Sequence, residues 1–263
     1  MNYIRKIIPK SLKQPLGAVR RMLVYQTYDS SEYWQRRASN AGQAAVLWEN
    51  QEYNNLYRED QRHIIETWVG SLSPGASVLD IGCGVGIVAG MLRSMRSDIA
   101  IDAVDFEEMV AVAREATRGQ NIRCIASSAE EYDGDGKLYD LIISSACYSM
   151  IRNIDHLRKA LDNAVCMLAP GGILLMIDAF HRWNYLARAK FGTRDVLAHL
   201  IPQGMELVEK SGVLFWPYRE RLANSDYRGA ELEAKFRNGE RLLRILGQHF
   251  WADYKILAFR KQS

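Results

Sequence analysis

One short stretch constrains the fold of this chain more than any other. It consists of an apolar run, an acid and three glycines at alternate positions, Val78-Leu79-Asp80-Ile81-Gly82-Cys83-Gly84-Val85-Gly86. Glycine adopts backbone angles that other residues avoid, and it lets a ligand approach the main chain closely. Residues 87–96 continue with helical apolar spacing. The stretch therefore predicts a buried strand that turns into a helix, with a ligand-binding loop between them.

Strand and helix signals alternate after this loop. Apolar runs predict strands at 78–81, 99–104, 122–125, 138–144 and 173–177, and helical spacing predicts helices at 87–96, 107–117 and 155–168. This alternation with short links is typical of a parallel sheet covered by helices on both faces. The last third predicts strands at 206–214 and 253–259 and helices at 193–200 and 229–247, and residues 31–70 predict a helical extension. We expect one doubly wound α/β domain with this extension at its N-terminal side.

Composition narrows the class of protein. The chain has 263 residues, of which 48% are hydrophobic and 25% charged, values that exclude a disordered or collagen-like chain. Its four cysteines form no C-x-x-C pair, so we expect reduced thiols in a reducing compartment and no metal site. We find neither a long apolar span nor a secretory signal, and we expect a cytoplasmic location.

Charge is unevenly distributed along the chain. The net charge of +3 gives no reason to expect a nucleic-acid partner, yet residues 1–28 hold six basic side chains and no acid. Two interpretations stay open for this basic leader. It is a solvated tail, or residues 1–24, whose cations alternate with apolar side chains, lie on the anionic inner face of a membrane.

An acid at the end of the second predicted strand indicates which class of ligand the glycine loop binds. Asp105 lies 19 residues beyond Gly86. A carboxylate at that place in an α/β fold accepts hydrogen bonds from the ribose hydroxyls of a nucleoside. The run Gly84-x-Gly86-x-x-Ala89 also fits the dinucleotide pattern, so an NAD(P)-dependent oxidoreductase stays an alternative, as does a tight turn without a ligand.

Several segments together resemble the class I S-adenosylmethionine-dependent methyltransferases. The glycine stretch resembles the first motif of that family, and the further matches occur in the same order along roughly residues 70–180. They are Val104-Asp105-Phe106, Ser127-Ser128-Ala129-Glu130, Tyr139-Asp140-Leu141-Ile142-Ile143-Ser144 and Leu168-Ala169-Pro170-Gly171-Gly172. The resemblance implies a mostly parallel, seven-stranded Rossmann-like sheet with an antiparallel C-terminal strand.

The resemblance also implies the residues that bind S-adenosyl-L-methionine. Gly82, Cys83, Gly84 and Gly86 form the loop beside its methionine part, and Asp80 lies beneath that loop near the amino group. Asp105 would hold the ribose. Phe106, Ser128 and Ala129 would contact the adenine, and Ser144 would face the sulfonium region. Serine at 128 departs from the family, which often has aspartate there. In the helical extension, Arg37 is the candidate partner of the methionine carboxylate, because guanidinium matches carboxylate geometry.

Two residues are candidates for the chemistry itself. His181 follows the fifth strand, at the sheet edge where ligands bind in such folds, and could serve as a general base. Tyr148 follows the fourth strand and could face the acceptor. For each of them, packing without a catalytic role stays an alternative.

We therefore expect a methyltransferase that acts on an oxygen, or as second choice a nitrogen, of a small molecule or a glycan or lipid intermediate. A cofactor-binding partner subunit without catalysis is the non-enzyme alternative. Residues 1–70 would form the leader and a helical cap, and residues 71–263 the methyltransferase domain. Within that domain, insertions at 180–250 would bind the acceptor.

Overall fold

The computed structural model describes residues 47, 48, 50–180 and 191–262. The strands in these residues are β1 (Ser77–Ile81), β2 (Ala100–Asp105), β3 (Ile122–Ala126), β4 (Tyr139–Ser145), β5 (Leu168–Asp178), β6 (Met205–Phe215) and β7 (Ala252–Lys261). The α-helices are α1 (Gln51–Val69), α2 (Ile87–Met95), α3 (Glu107–Ala116), α4 (Ile154–Met167), α5 (Thr193–Leu200), α6 (Trp216–Leu222) and α7 (Gly229–Leu246). Short 3-10 helices lie at Gly134–Gly136, Tyr148–Met150 and Ile201–Gln203.

The strands form one sheet in the order β3-β2-β1-β4-β5-β7-β6. β1 to β5 pair in parallel, and β7 runs antiparallel to both of its neighbours, β5 and β6. The predicted fold class is therefore confirmed. The chain builds outward in opposite directions from β1 and β4, which makes the crevice at the carboxyl ends of these two strands the expected ligand site.

Alternate side chains of the central strands enter two separate cores, one on each face of the sheet. Val78 and Leu141 belong to one core, while Leu79 and Ile142 belong to the other. The first core is covered by α1, α2 and α7, and the second by α4 and α5. Because both faces are buried, the strands are continuous apolar runs and not alternating patterns, which is why the sequence indicates them clearly.

Helix α1 is fixed against the C-terminal part of the chain. Asn50 caps the helix by accepting a hydrogen bond from the Tyr53 amide, and its side-chain amide donates to the Ser225 carbonyl at 3.0 Å. Farther along the helix, Arg237 of α7 donates to Asp60 at 2.6 Å. These contacts hold α1 so that one of its faces is turned toward the carboxyl ends of the strands.

The structure departs from the predicted elements in three places. The described part of the predicted helix 31–70 begins only at Gln51, after the Asn50 cap, and residues 31–46 lie outside the described residues. α6 was not predicted, although its Pro217 stands in the first turn, where proline suits a helix. β5 begins at Leu168, ahead of the Gly171-Gly172 turn where the sequence predicts only a break.

Among the described residues, no helix has both the length and the apolar composition that a membrane span requires.

Candidate functional site

The glycine loop between β1 and α2 has the left-handed backbone geometry that its glycines permit. Gly82, Gly84 and Gly86 have φ angles of 74°, 57° and 82°, in the left-handed region. A Cβ at Gly82 would lie 2.3 Å from the Cβ of Cys147, so the loop closes tightly over the start of the β4 connection. Gly82, Cys83 and Gly84 line a cleft at this end of the sheet, whereas Gly86 packs against Thr117 and Ala113.

The amide groups of this loop are largely used within the protein. The N–H groups of Gly82 and Cys83 both donate to the Val104 carbonyl, at 2.8 and 3.0 Å, and that of Gly86 donates to the Cys83 carbonyl. The Gly84 N–H donates to the Asp105 carboxylate at 2.7 Å. A dinucleotide-binding loop uses its free amide groups to hold a pyrophosphate. These four donors are not free to do so, because each already donates within the protein.

Asp105 lies at the end of β2 and lines the same cleft. One carboxylate oxygen accepts the Gly84 N–H, and the other accepts the Phe106 N–H at 2.7 Å. Burial raises the pKa of Asp105 to about 6, and the two backbone hydrogen bonds oppose that rise. Each oxygen keeps a further lone pair, so this fixed carboxylate can accept two more hydrogen bonds from a ligand.

The adenine candidates stand beside Asp105. Phe106, Ser128 and Ala129 line the cleft together with Ser127 and Glu130, two residues that were not selected from the sequence. The Ser127 amide donates to the Asp105 carbonyl at 3.0 Å, which ties the segment after β3 to the end of β2. This part of the cleft therefore combines an aromatic ring, hydroxyls and a carboxylate around one pocket.

Asp80 lies under the loop at the end of β1, fully buried. Neither of its carboxylate oxygens makes a hydrogen bond of ordinary geometry among the described residues, although the Ala89 N–H lies close enough to affect its pKa. Burial and the nearby Asp105 raise the pKa of Asp80 to about 7, while the Ala89 amide and the Arg58 guanidinium oppose that rise. A buried carboxyl so poorly hydrogen-bonded costs free energy in the unliganded protein, and a cationic ligand group would relieve that cost.

Arg58 is a cleft residue that was missed from the sequence. It projects from α1 into the cleft, and its side chain hydrogen-bonds Gln61, one turn farther along the helix. Burial lowers its pKa, which Asp80 and two tyrosines partly offset. The buried stripe of α1 includes the polar Asn54 and Gln61 among apolar residues. These polar residues within an apolar helix face were the available signal that other polar groups lie nearby, because buried polar side chains need hydrogen-bond partners.

The remaining wall of the cleft is aromatic and hydroxylic. Tyr57 of α1 and Tyr254 of β7 both line it, with ring centroids 5.4 Å apart. Ser145, the last residue of β4, also lines the cleft and accepts a hydrogen bond from the Gln61 amide at 2.6 Å. Leu47, Met150 and Ile151 complete this wall with apolar surface. The cleft as a whole surrounds about 1020 Å³ of non-protein space, part of it open to solvent.

Four of the described site candidates do not line the cleft: Asp80 and Gly86, described above, and Ser144 and Tyr148. Ser144 is fully buried and donates a hydrogen bond to Asp178 at 2.8 Å, so its neighbour Ser145 lines the cleft in its place. The cause is strand alternation, since successive residues of β4 point to opposite faces. Tyr148 is fully buried in the core between the sheet and α4 and does not line the cleft. Arg37 and His181 lie outside the described residues.

All four cysteines are free thiols. Burial raises the pKa of the two that line the cleft, Cys83 and Cys147, well above the usual value. No cluster of three or more potential metal ligands occurs in the described part of the chain.

Part of the chain matches a known protein family. Residues 78–172 match the protein family described as a methyltransferase domain. The ubiquinone biosynthesis O-methyltransferase of Rickettsia canadensis is 31% identical over 100 residues, which are 38% of this chain and 41% of that protein. The malonyl-(acyl-carrier protein) O-methyltransferase of Bacillus cereus is 31% identical over 153 residues, 56% of this chain and 54% of that protein. The chain thus spans about half the length of these curated relatives.

A solved structure has the same fold. The N-methyltransferase NodS from Bradyrhizobium japonicum, crystallised with S-adenosyl-L-homocysteine, matches with a TM-score of 0.60 at 20% identity. The match covers 88% of this chain and 98% of that one.

Proposed function

We propose that this chain, which carries a domain of the class I methyltransferase family, binds S-adenosyl-L-methionine in the described cleft and transfers its methyl group to an acceptor. One observation carries the proposal. The half-buried guanidinium of Arg58 and the fixed strand-end carboxylate of Asp105 line a single cleft, and the fully buried carboxyl of Asp80 lies beneath its glycine loop. These charges complement the carboxylate, the ribose and the ammonium of that cofactor in turn.

The residues present fit this cofactor better than a dinucleotide. Four amides of the glycine loop are already donated within the protein, which leaves them unable to hold a pyrophosphate. The acids Asp80 and Asp105 beside the loop would repel a pyrophosphate and attract a cation. We therefore favour the methyltransferase over the NAD(P)-dependent alternative.

We assign each group of residues in the site to one part of the cofactor. Asp105 holds the ribose, Phe106, Ser128 and Ala129 contact the adenine, and Asp80 pairs with the ammonium group. For the methionine carboxylate we propose Arg58, and Arg37 stays a second candidate. The cofactor supplies a methyl group on a sulfonium, which is already a good leaving group. The protein has mainly to align the acceptor and to exclude water.

The acceptor would lie against the wall formed by Tyr57, Ser145 and Tyr254, because the other walls are assigned to the cofactor. Aromatic rings and hydroxyls suit a neutral or apolar acceptor, and the named relatives are O-methyltransferases. We propose an oxygen of a small molecule or of a glycan or lipid intermediate, with nitrogen as second choice. His181 is the proposed general base, and its replacement by asparagine should abolish turnover but not ligand binding.

Asp105→Ala tests the proposed cofactor site. The variant should lose most of its affinity for S-adenosylhomocysteine, at least about tenfold, because a ribose would lose charge-assisted hydrogen bonds. Isothermal titration calorimetry on the wild type and the variant measures the loss. Glu107→Ala is the matched control, since Glu107 is exposed at the start of α3 and does not line the cleft. Unchanged affinity in Asp105→Ala would refute the ribose assignment.

We also propose that the basic leader, residues 1–24, gives weak attachment to an anionic membrane surface. Its cations and its apolar side chains together support interfacial binding. The full chain should sediment with anionic vesicles at low salt, and a chain lacking residues 1–24 should not. Equal sedimentation of the two chains would end this proposal.

A further inference from the structure

We propose that Gln61 is a positioning residue, which fixes Arg58 and Ser145 in one orientation and so determines how tightly the amino-acid half of the cofactor binds. The inference rests on the proposed function and adds a residue that never touches the ligand. Gln61 lies in the middle of α1 and is fully buried, and it is absent from the lining of the cleft. It lies directly behind three residues that do line the cleft: Tyr57, Arg58 and Ser145.

The chemistry of its neighbours fixes the orientation of the Gln61 amide. Arginine can only donate hydrogen bonds, so the atom that faces the Arg58 guanidinium has to be the carbonyl oxygen Oε1. The amide nitrogen Nε2 is therefore on the other side, where it donates to Ser145 Oγ at 2.6 Å. A longer contact of 3.5 Å joins Nε2 to the Tyr57 hydroxyl. Reversing the amide would place NH₂ against guanidinium and lose the hydrogen bond to Arg58.

This orientation determines what the cleft residues offer a ligand. Ser145 Oγ accepts from Gln61, so its own proton is available for donation to Tyr57 or into the cleft. Arg58 is held by a neutral acceptor, so its positive charge is not cancelled, and its Nε has no hydrogen-bond partner among the described residues. A carboxylate at position 61 would instead pair with Arg58 and neutralise it. Glutamine thus orients the guanidinium and leaves its charge for an anionic ligand group.

The same arrangement links the proposed amino-acid end of the cleft, at Arg58, to the wall proposed for the acceptor, at Ser145. Arg58 stands near Asp80, as the influence of each charge on the pKa of the other indicates. Ser145 stands at the end of β4, beside the wall proposed for the acceptor. Gln61 is the described side chain that hydrogen-bonds both. Its loss should therefore disturb the amino-acid end of the bound cofactor and leave the nucleoside end intact.

Two ligands distinguish an effect at the amino-acid end of the cofactor from an effect at its nucleoside end. S-adenosylhomocysteine carries the amino-acid group, and 5′-methylthioadenosine has the same nucleoside without it. We expect Gln61→Glu to weaken S-adenosylhomocysteine about tenfold or more and to change the affinity for methylthioadenosine less than about twofold, both measured by calorimetry. Gln61→Met, which adds no charge, should show the same selectivity with a smaller loss. Gln51→Glu, the same exchange at an exposed position of α1, should bind both ligands as the wild type does.

Each other outcome overturns the inference. An equal loss for both ligands in Gln61→Glu and Gln61→Met would mean that Gln61 only supports the packing of α1. Unchanged affinity for both ligands would mean that Arg58 is oriented without it. A wild-type protein that binds neither ligand would refute the proposed function, and this inference with it, whereas the first two outcomes leave the proposed function standing.

Discussion

Asp80 combines an unfavourable burial in the free protein with a proposed role in ligand binding. Its carboxyl is fully buried without a hydrogen bond of ordinary geometry among the described residues, and its pKa is raised to about 7. A carboxyl whose pKa is raised by folding contributes stability below its unfolded pKa of about 4, and that contribution is lost as the pH rises through 7. At pH 8 the ionised Asp80 therefore destabilises the unliganded protein.

This residue predicts a pH dependence of ligand binding. In the proposed site the ammonium of S-adenosylhomocysteine pairs with ionised Asp80. The affinity for this ligand should therefore fall as the pH drops from 8 to 6, approaching about tenfold per unit below 7. Methylthioadenosine lacks the ammonium and should weaken much less, through Asp105 alone. Calorimetry across this range measures both ligands. Asp80→Asn should remove the difference in slope between them and raise the melting temperature at pH 8. An unaltered difference would contradict the role of Asp80.

Some of the residues that line the cleft were predictable from the sequence, and others were not. Asp105 and the glycines were predictable, because a turn with positive φ and a strand-end acid follow from local sequence. Ser144 was selected in place of Ser145, because a shift of one residue along a strand moves a side chain to the opposite face. Arg58 was missed because the direction of a side chain on α1 depends on how that helix packs.

At the level of elements, the loop between β1 and α2 depends on a close approach to the residues after β4. Gly82 has a φ of 74°, and a Cβ there would lie 2.3 Å from the Cβ of Cys147. The loop can therefore close only with glycine at this position. Asp105, Arg58 and Ser145 line the same cleft as this loop.

Gly82→Ala tests this dependence against a matched glycine. Gly75 has nearly the same φ, 75°, and no atom lies within 4 Å of the place that an alanine methyl would take there. Gly75→Ala should cost about 1 kcal/mol, the strain of a left-handed residue. Gly82→Ala should cost at least about 2 kcal/mol more, because overpacking is added, and it should also weaken S-adenosylhomocysteine. Urea unfolding measures both costs, and equal costs would show that contact with Cys147 is unimportant.

Element boundaries were predictable to within a few residues wherever a buried strand or an amphipathic helix produced a clear pattern. α5 has the same bounds as predicted, Thr193–Leu200. α6 was missed because an aromatic cluster around Pro217 looks like a turn, although it begins a short helix. The packing of α1 on α7 could not be predicted either, because it depends on ion pairs between residues far apart in the chain, such as Arg237 with Asp60.

At the level of the whole molecule, the sheet order determines where the site is. The chain reverses its direction of growth between β1 and β4, and the cleft lies at the carboxyl ends of β1, β2 and β4. The alternation of strands and helices predicts a doubly wound sheet of this kind, whereas the cofactor class follows from the resemblance of several segments to the methyltransferase family. The sequence does not predict the acceptor, because the wall proposed for the acceptor combines Tyr57, Ser145 and Tyr254 from three distant segments.

A crystal structure of the full chain with S-adenosylhomocysteine would be the decisive test of the proposed site. We expect the ligand in the described cleft, with both ribose hydroxyls within hydrogen-bonding distance of Asp105, the ammonium beside Asp80 and the carboxylate on Arg58. A ligand bound outside this cleft, or a carboxylate held by Arg37 with Arg58 turned away, would contradict the proposal.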